Sequence, residues 1–126
     1  MCGIVGYTGA KDVGQLLLDS LELLEHRGYD SVGIARVMSE TDNVRIDKCV
    51  GRVRDLRTEC EKETILSTCG IGHTRWATHG GVLKKNAHPH RYGKATIVHN
   101  GIVENYRQLI EDYRSEERRV GKECRS

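Results

Sequence analysis

A chain of 126 residues has room for one domain at most and for a core of modest size. Its 20 basic and 18 acidic residues are interspersed and leave a net charge of +2, with no phosphate-seeking stripe before the last dozen residues, so nucleic acid is not expected as a partner. No apolar run reaches bilayer length and no charged-then-apolar leader opens the chain, so no membrane association is expected and a cytoplasmic setting is. The cysteines at 2, 49, 60, 69 and 124 are odd in number and form no CxxC pair, which gives neither a disulfide framework nor a zinc knuckle. His88 and His90 flank Pro89 in an extended segment without a matching Cys or carboxylate pair, so no metal and no cofactor is expected.

The first strand candidate is Gly3 to Tyr7, short and partly β-branched. A helix is predicted over Val13 to Arg27, because Val13, Leu16, Leu17, Leu21 and Leu24 recur at three- and four-residue steps. Asp12 with Gln15 suits its N-terminus, and Gly28 can stop it in a left-handed conformation. Ser31 to Met38 and Val44 to Val50 read as a hairpin around Ser39 to Asn43. Val53, Leu56 and Cys60 give Arg52 to Glu63 one apolar helix face. Ile71 to Trp76 and Ala95 to His99 are further strands, joined by a Gly- and His-rich loop. The last helix starts after Asn105, with Tyr106, Leu109, Ile110 and Tyr113 on one stripe. From Ser115 the chain becomes a charged run that is not expected to continue the fold. Residues 1–114 and 115–126 are therefore read as separate parts.

Cys2 carries the most distinctive chemistry. Removal of Met1 would leave an α-amine and a thiol on one residue, with ordinary pKa values of about 8 and about 8.5, so a proton can pass between them at little cost. That pairing suits covalent acyl transfer, in which an N-terminal amine activates its own side chain. Taken alone, Cys2 is a small residue at a strand start. Asn100-Gly101, taken alone, is the commonest signal for a two-residue hairpin loop.

The strings CGIVGYTG, LEHRGYDSVGI, GHTRWATHG, NAHPH and VHNGIVENY occur together and in this order. From Met1 to about Tyr113 the chain resembles the glutaminase domain of the glutamine:fructose-6-phosphate aminotransferase family, among the class II amidotransferases and the N-terminal nucleophile hydrolases. Amidophosphoribosyltransferases would be expected to carry Gln at Tyr29 and Tyr at Trp76, so that branch is the alternative. The resemblance implies an α+β fold, a sandwich of two antiparallel sheets flanked by helices, here incomplete. It implies that Cys2 attacks the side-chain amide of L-glutamine and that Asn100 and Gly101 form the oxyanion hole. It further implies that Arg75 grips the α-carboxylate, that Trp76 helps close the ammonia exit, and that Thr78 and His79 line the glutamine pocket. His73, His88, His90 and His99 receive no chemistry and are read as satisfied core or loop histidines.

The family continues into a strand ending in an Asp that binds the α-amine of glutamine, and nothing in the chain matches it. Fructose-6-phosphate would be met only by an isomerase part that the chain lacks, in a homo-oligomeric parent enzyme, so the chain is expected to be an inactive fragment. A reading of another kind, a non-catalytic binding module using Cys and His, would reveal itself by bound metal.

Overall fold

The computed structural model describes residues 2–76 and 81–120, with residues 115–120 described through the backbone alone. In chain order the elements are β1 (Gly3–Thr8), α1 (Val13–Leu23), β2 (Ser31–Val37), β3 (Val44–Val50), α2 (Val53–Cys60), β4 (Cys69–Arg75), β5 (His90–Tyr92), β6 (Ala95–Ile97) and α3 (Tyr106–Val120). Four strands form one antiparallel sheet in the order β1-β4-β2-β3, and β5 and β6 form a separate two-stranded ribbon. The architecture is α+β.

The β2–β3 hairpin closes through Met38 N–H to Asn43 O at 2.8 Å. Asp42 takes the left-handed conformation there with φ 59, which its short polar side chain tolerates. Successive side chains of a strand face opposite sides, and that alternation sorts this sheet into two unlike faces. Val32 and Ile34 turn toward the helices, where Leu17 and Leu21 of α1 and Val53 and Leu56 of α2 complete a buried core. Burial of each such side chain stabilises the fold by roughly 1.5–3 kcal/mol. β4 contributes glycines to this face. A Cβ on Gly70 would lie 2.9 Å from Leu17 Cδ1, and one on Gly72 would lie 3.0 Å from Leu21 Cδ1. The helix therefore seats directly on the β4 backbone.

On the other face the segment around His88 crosses the sheet. A Cβ on Gly33 would collide with the His88 carbonyl oxygen, and Lys48 Nζ donates to Ala87 O at 2.9 Å and Pro89 O at 3.2 Å. The chain thus lies on β2 and β3, with Gly33 giving it room and Lys48 bonding its carbonyls.

The structure departs from expectation at several places. α1 ends at Leu23 and a 3-10 turn takes Glu25–Arg27, so the predicted helix to Arg27 loses its last turn. Gly28 does not stop the helix in a left-handed conformation: its φ is 179, ordinary extended backbone. Its glycine is required by close approach instead, since a Cβ would sit 2.7 Å from the Arg75 carbonyl carbon. α3 runs past Tyr113 to Val120, because Glu and Arg are good helix formers and nothing before Gly121 breaks a helix. Its stripe covers no outer face: Tyr106, Ile110 and Tyr113 remain 48, 43 and 61% exposed, as no facing apolar surface lies among the described residues. β5 arises where a loop was expected, because three residues are too few to show a period.

Replacing Gly33 by Ala is expected to destabilise the chain by about 2 kcal/mol or more through overpacking against the His88 carbonyl. Gly6→Ala, whose nearest new contact is 3.8 Å away, should shift the urea midpoint far less. Equal midpoints for the two variants would contradict the close crossing of residues 87–90 over β2.

Candidate active site

Cys2 enters the sheet one residue before β1, and its position follows from the β1–β4 register. Gly3 stands opposite Thr74, with Gly3 N–H donating to Thr74 Oγ1 at 3.2 Å. A Cβ on Gly3 would meet that oxygen at 2.8 Å and Leu24 Cβ at 3.0 Å, so the residue after Cys2 has to be small. Immediately past β4, Trp76 N–H donates to Cys2 Sγ at 3.3 Å. The sulfur is thereby tied to the backbone that follows Arg75.

The Arg27–Asp30 segment braces the same corner from the side. Asp30 N–H donates to Arg75 O at 3.1 Å, and Gly28 lies against the Arg75–Trp76 peptide with no room for a side chain. Tyr29 meets the Trp76 ring edge-on with centroids 5.5 Å apart, and the Arg52 guanidinium lies 5.2 Å from the centre of the Tyr29 ring. Arg75 itself is 8% exposed. Its Nη1 donates to Gly81 O at 2.9 Å, and the same carbonyl accepts from Asn86 Nδ2 at 3.0 Å. One carbonyl with two donors holds the 81–86 segment at this edge.

Asn100 reaches the site from the far end of the sequence. Its Nδ2 donates to the Cys2 carbonyl at 2.9 Å, and its Oδ1 lies 2.9 Å from His73 Nε2. His73 Nε2 also lies 3.1 Å from His99 O. A carbonyl oxygen can only accept, so Nε2 carries the hydrogen and both contacts are donations from His73. Gly101 has φ 136, a region that favours glycine, and a Cβ there would approach the His99 ring at 3.3 Å. Cys2, the Arg75–Trp76 peptide, Asn100 and Gly101 thus gather at one end of the sheet, on the face that does not carry α1. Thr78 and His79 lie outside the described residues.

His73 was missed by sequence reasoning, although a signal existed: Ile71, His73 and Arg75 alternate along β4 and must share a face. His73 is 1% exposed and stacks on His88 at 4.1 Å, which in turn meets His90 at 4.4 Å. Among the described residues these histidines are not all satisfied, contrary to expectation, because Nδ1 of His73 and of His88 are buried with no hydrogen-bond partner there. Burial, aided by the neighbouring His73, pushes the His88 imidazole down to about 3. Burial likewise lowers His73 and His90. Among the described residues no group of three or more His, Cys, Asp or Glu side chains could hold a metal ion, and no helix is long and apolar enough to cross a membrane. Two clefts elsewhere, one between α1 and residues 60–66 and one between β3 and residues 84–91, include none of Cys2, Arg75 or Asn100 in their walls.

No family model matches the chain. It is 55% identical over 115 residues to a glutamine–fructose-6-phosphate aminotransferase (isomerizing) of Halalkalibacterium halodurans, a match covering 90% of this chain and 19% of that protein. The same-named protein of Clostridium tetani is 50% identical over 118 residues, covering 92% and 19%, and that of Chlamydia caviae 54% over 111 residues, covering 86% and 18%. The chain spans about a fifth of the length of these relatives. Among solved structures, glutamine phosphoribosylpyrophosphate amidotransferase from B. subtilis, complexed with ADP and GMP, superposes with a TM-score of 0.74 at 23% identity, covering 92% of this chain and 25% of that one. A structure described as the allosteric regulatory enzyme of purine biosynthesis gives 0.76 at 24%, with the same coverage. These likenesses establish the fold alone, an incomplete α+β arrangement of antiparallel sheets and helices.

The buried histidines make stability depend on pH in a definite direction. Because the folded-state pKa of His88 lies near 3 and its ordinary value is 6.5, the unfolded chain binds more protons between those limits. Stability is expected to be full above about pH 6.5 and to fall as the pH drops toward 3. His88→Asn should flatten that slope in urea titrations at pH 4, 5, 6 and 7. A slope unchanged by the substitution would contradict a neutral buried imidazole.

Proposed function

We propose, from the 55% identity to a glutamine–fructose-6-phosphate aminotransferase over 90% of this chain, that the chain belongs to that family and carries the nucleophile half of a glutaminase site that releases ammonia from L-glutamine. The observation that supports this most directly is the bond from Asn100 Nδ2 to the carbonyl of Cys2, across ninety-eight positions of sequence. It joins the nucleophile residue to the oxyanion donor of the reading.

With Met1 removed, the Cys2 thiol passes its proton to its own α-amine and attacks the side-chain amide carbon of glutamine. The carbonyl oxygen becomes an oxyanion. An amide nitrogen has two hydrogens: one of those on Asn100 is donated to Cys2 O, and the other, with Gly101 N–H, meets the oxyanion. The α-ammonium returns its proton to the leaving nitrogen, ammonia departs, and a thioester remains on Cys2. Water then attacks that thioester to give glutamate and restore the thiol. Arg75 grips the α-carboxylate through its guanidinium, whose planar fork suits two parallel charge-assisted bonds to a carboxylate. Trp76 closes the ammonia exit, and Thr78 and His79 complete the glutamine pocket.

In the whole enzyme, ammonia passes to fructose-6-phosphate at an isomerase part outside this chain and yields glucosamine-6-phosphate. That parent is read as a cytoplasmic homo-oligomer, a setting in keeping with four free cysteines among the described residues. The glutaminase of an amidophosphoribosyltransferase is the second reading, favoured only by the fold likeness at 23–24% identity. The 50–55% identity to the aminotransferases outweighs it.

In the full-length enzyme carrying this segment, Asn100→Ala should lower kcat for glutamine hydrolysis about a hundredfold or more and leave KM nearly unchanged, because the donor acts in the transition state. A loss confined to KM would sink the oxyanion role. Intact mass of the active enzyme should correspond to a chain starting at Cys2, and activity in a form retaining Met1 would exclude the α-amine as base.

A glutamine-shaped electrophile should label Cys2 first, with free glutamine protecting it. Burial pushes Cys49 up to about 11, with Asp55 adding to the shift, and burial also raises Cys60, so both should stay unmodified at neutral pH. Cys69 is exposed and should react with iodoacetamide but not selectively with the glutamine-shaped reagent. Peptide mapping that found all four labelled alike would argue against the site.

A further inference from the structure

We propose that His73 is a positioning residue for this acyl transfer: by donating from Nε2 to Asn100 Oδ1 it fixes which way the Asn100 amide faces, and so keeps an N–H rather than an oxygen aimed at the oxyanion. The inference rests on the glutaminase reading above, because it concerns the donor that reading assigns.

A carboxamide can turn about its terminal torsion and exchange its oxygen and nitrogen at little intrinsic cost. On this fold the exchange is blocked from one side. His73 Nε2 lies 3.1 Å from His99 O and 2.9 Å from the Asn100 side chain. Its hydrogen is already fixed by the backbone carbonyl, which can only accept. A flipped Asn100 would set an NH2 group against that N–H, two donors facing each other. The flip would also bring the Asn100 oxygen toward the Cys2 carbonyl, two acceptors facing each other, where Nδ2 now donates at 2.9 Å. Both ends of the amide therefore favour one orientation.

The donor is held firmly. His73 is 1% exposed on β4, the strand whose opposite face carries the α1 leucines, and its ring stacks on His88 at 4.1 Å. Among the described residues its Nδ1 has no hydrogen-bond partner, and the ring's polar contacts there run through Nε2. Burial lowers its proton affinity and keeps Nδ1 bare. An oxygen in place of the N–H would repel the charge that develops on the substrate, so loss of His73 weakens the transition state more than the bound glutamine.

The test compares four forms of the full-length enzyme: His73→Leu, His73→Gln, Asn100→Ala, and Asn100→Ala combined with His73→Leu. Leucine removes the donor; glutamine can return an N–H to the Nε2 position. His73→Leu should lower kcat about tenfold or more with KM within about threefold, and His73→Gln should recover to within about threefold of the parent. In the Asn100→Ala background His73→Leu should cost less than about twofold further, since there is no amide left to orient. Should the leucine variant fail to fold, His73→Asn, polar but too short to reach Asn100, takes its place with the same expectations. Equal losses for Leu and Gln, a loss carried by KM, or a loss that multiplies fully with that of Asn100→Ala would overturn the proposal. If Asn100→Ala costs activity while His73→Leu is silent, the positioning role alone fails. If Asn100→Ala is itself silent, the oxyanion reading fails and takes this inference with it.

Discussion

The direct seating of α1 on the β4 backbone governs the rest of the molecule. Gly70 and Gly72 let Leu17 and Leu21 reach the strand itself, and side chains there would push the helix outward. With that face filled by the helix, the alternating residues Ile71, His73 and Arg75 are committed to the other face. A slip of one residue in the β4 register would turn all three into the core. The packing of one face thus decides the chemistry of the other.

β4 is flanked by β1 and β2, and each neighbour brings something to its C-terminal end. β1 brings Cys2 beside Trp76. The segment leading into β2 brings Gly28 and Asp30 onto Arg75. These are a thiol–backbone contact, a backbone hydrogen bond and a glycine clearance, so the corner is built by three packed segments before any substrate is considered. Pre-organisation of this kind matters for acyl transfer, because donors already aimed at the developing charge need no rearrangement during the reaction.

The second layer is the histidine-bearing segment folded over β2 and β3. Where its His88 stacks on His73 of β4, both imidazoles are buried with Nδ1 atoms that have no partner among the described residues, a cost that a packed core normally avoids. The cost is offset where His73 Nε2 serves two acceptors, one of them on Asn100. Lys48 satisfies two carbonyls of the crossing segment, and its proton affinity is lowered by burial and by Lys84. The sheet thus reads the loop through its polar groups, whereas it reads the helices through apolar contact.

The sequence by itself determined the elements that have a period or a cap. β3 lies at Val44–Val50 as expected, the Asp12 side chain accepts from Gln15 N at the start of α1, and the turn at Ser39 to Asn43 closes the hairpin. Ordered motifs also pointed to Cys2, Arg75 and Asn100 before their meeting was visible. What the tertiary structure alone decided are matters of distance between residues far apart in the chain. Gly28 looked like a helix stop and is a clearance for Arg75, because no local pattern records what approaches a missing Cβ. The α3 stripe looked like core and lies exposed, because amphipathicity states a need for a partner without supplying one. His73 looked like one more core histidine, and its bond to Asn100 exists only once β4 and the Asn100-Gly101 turn are brought together.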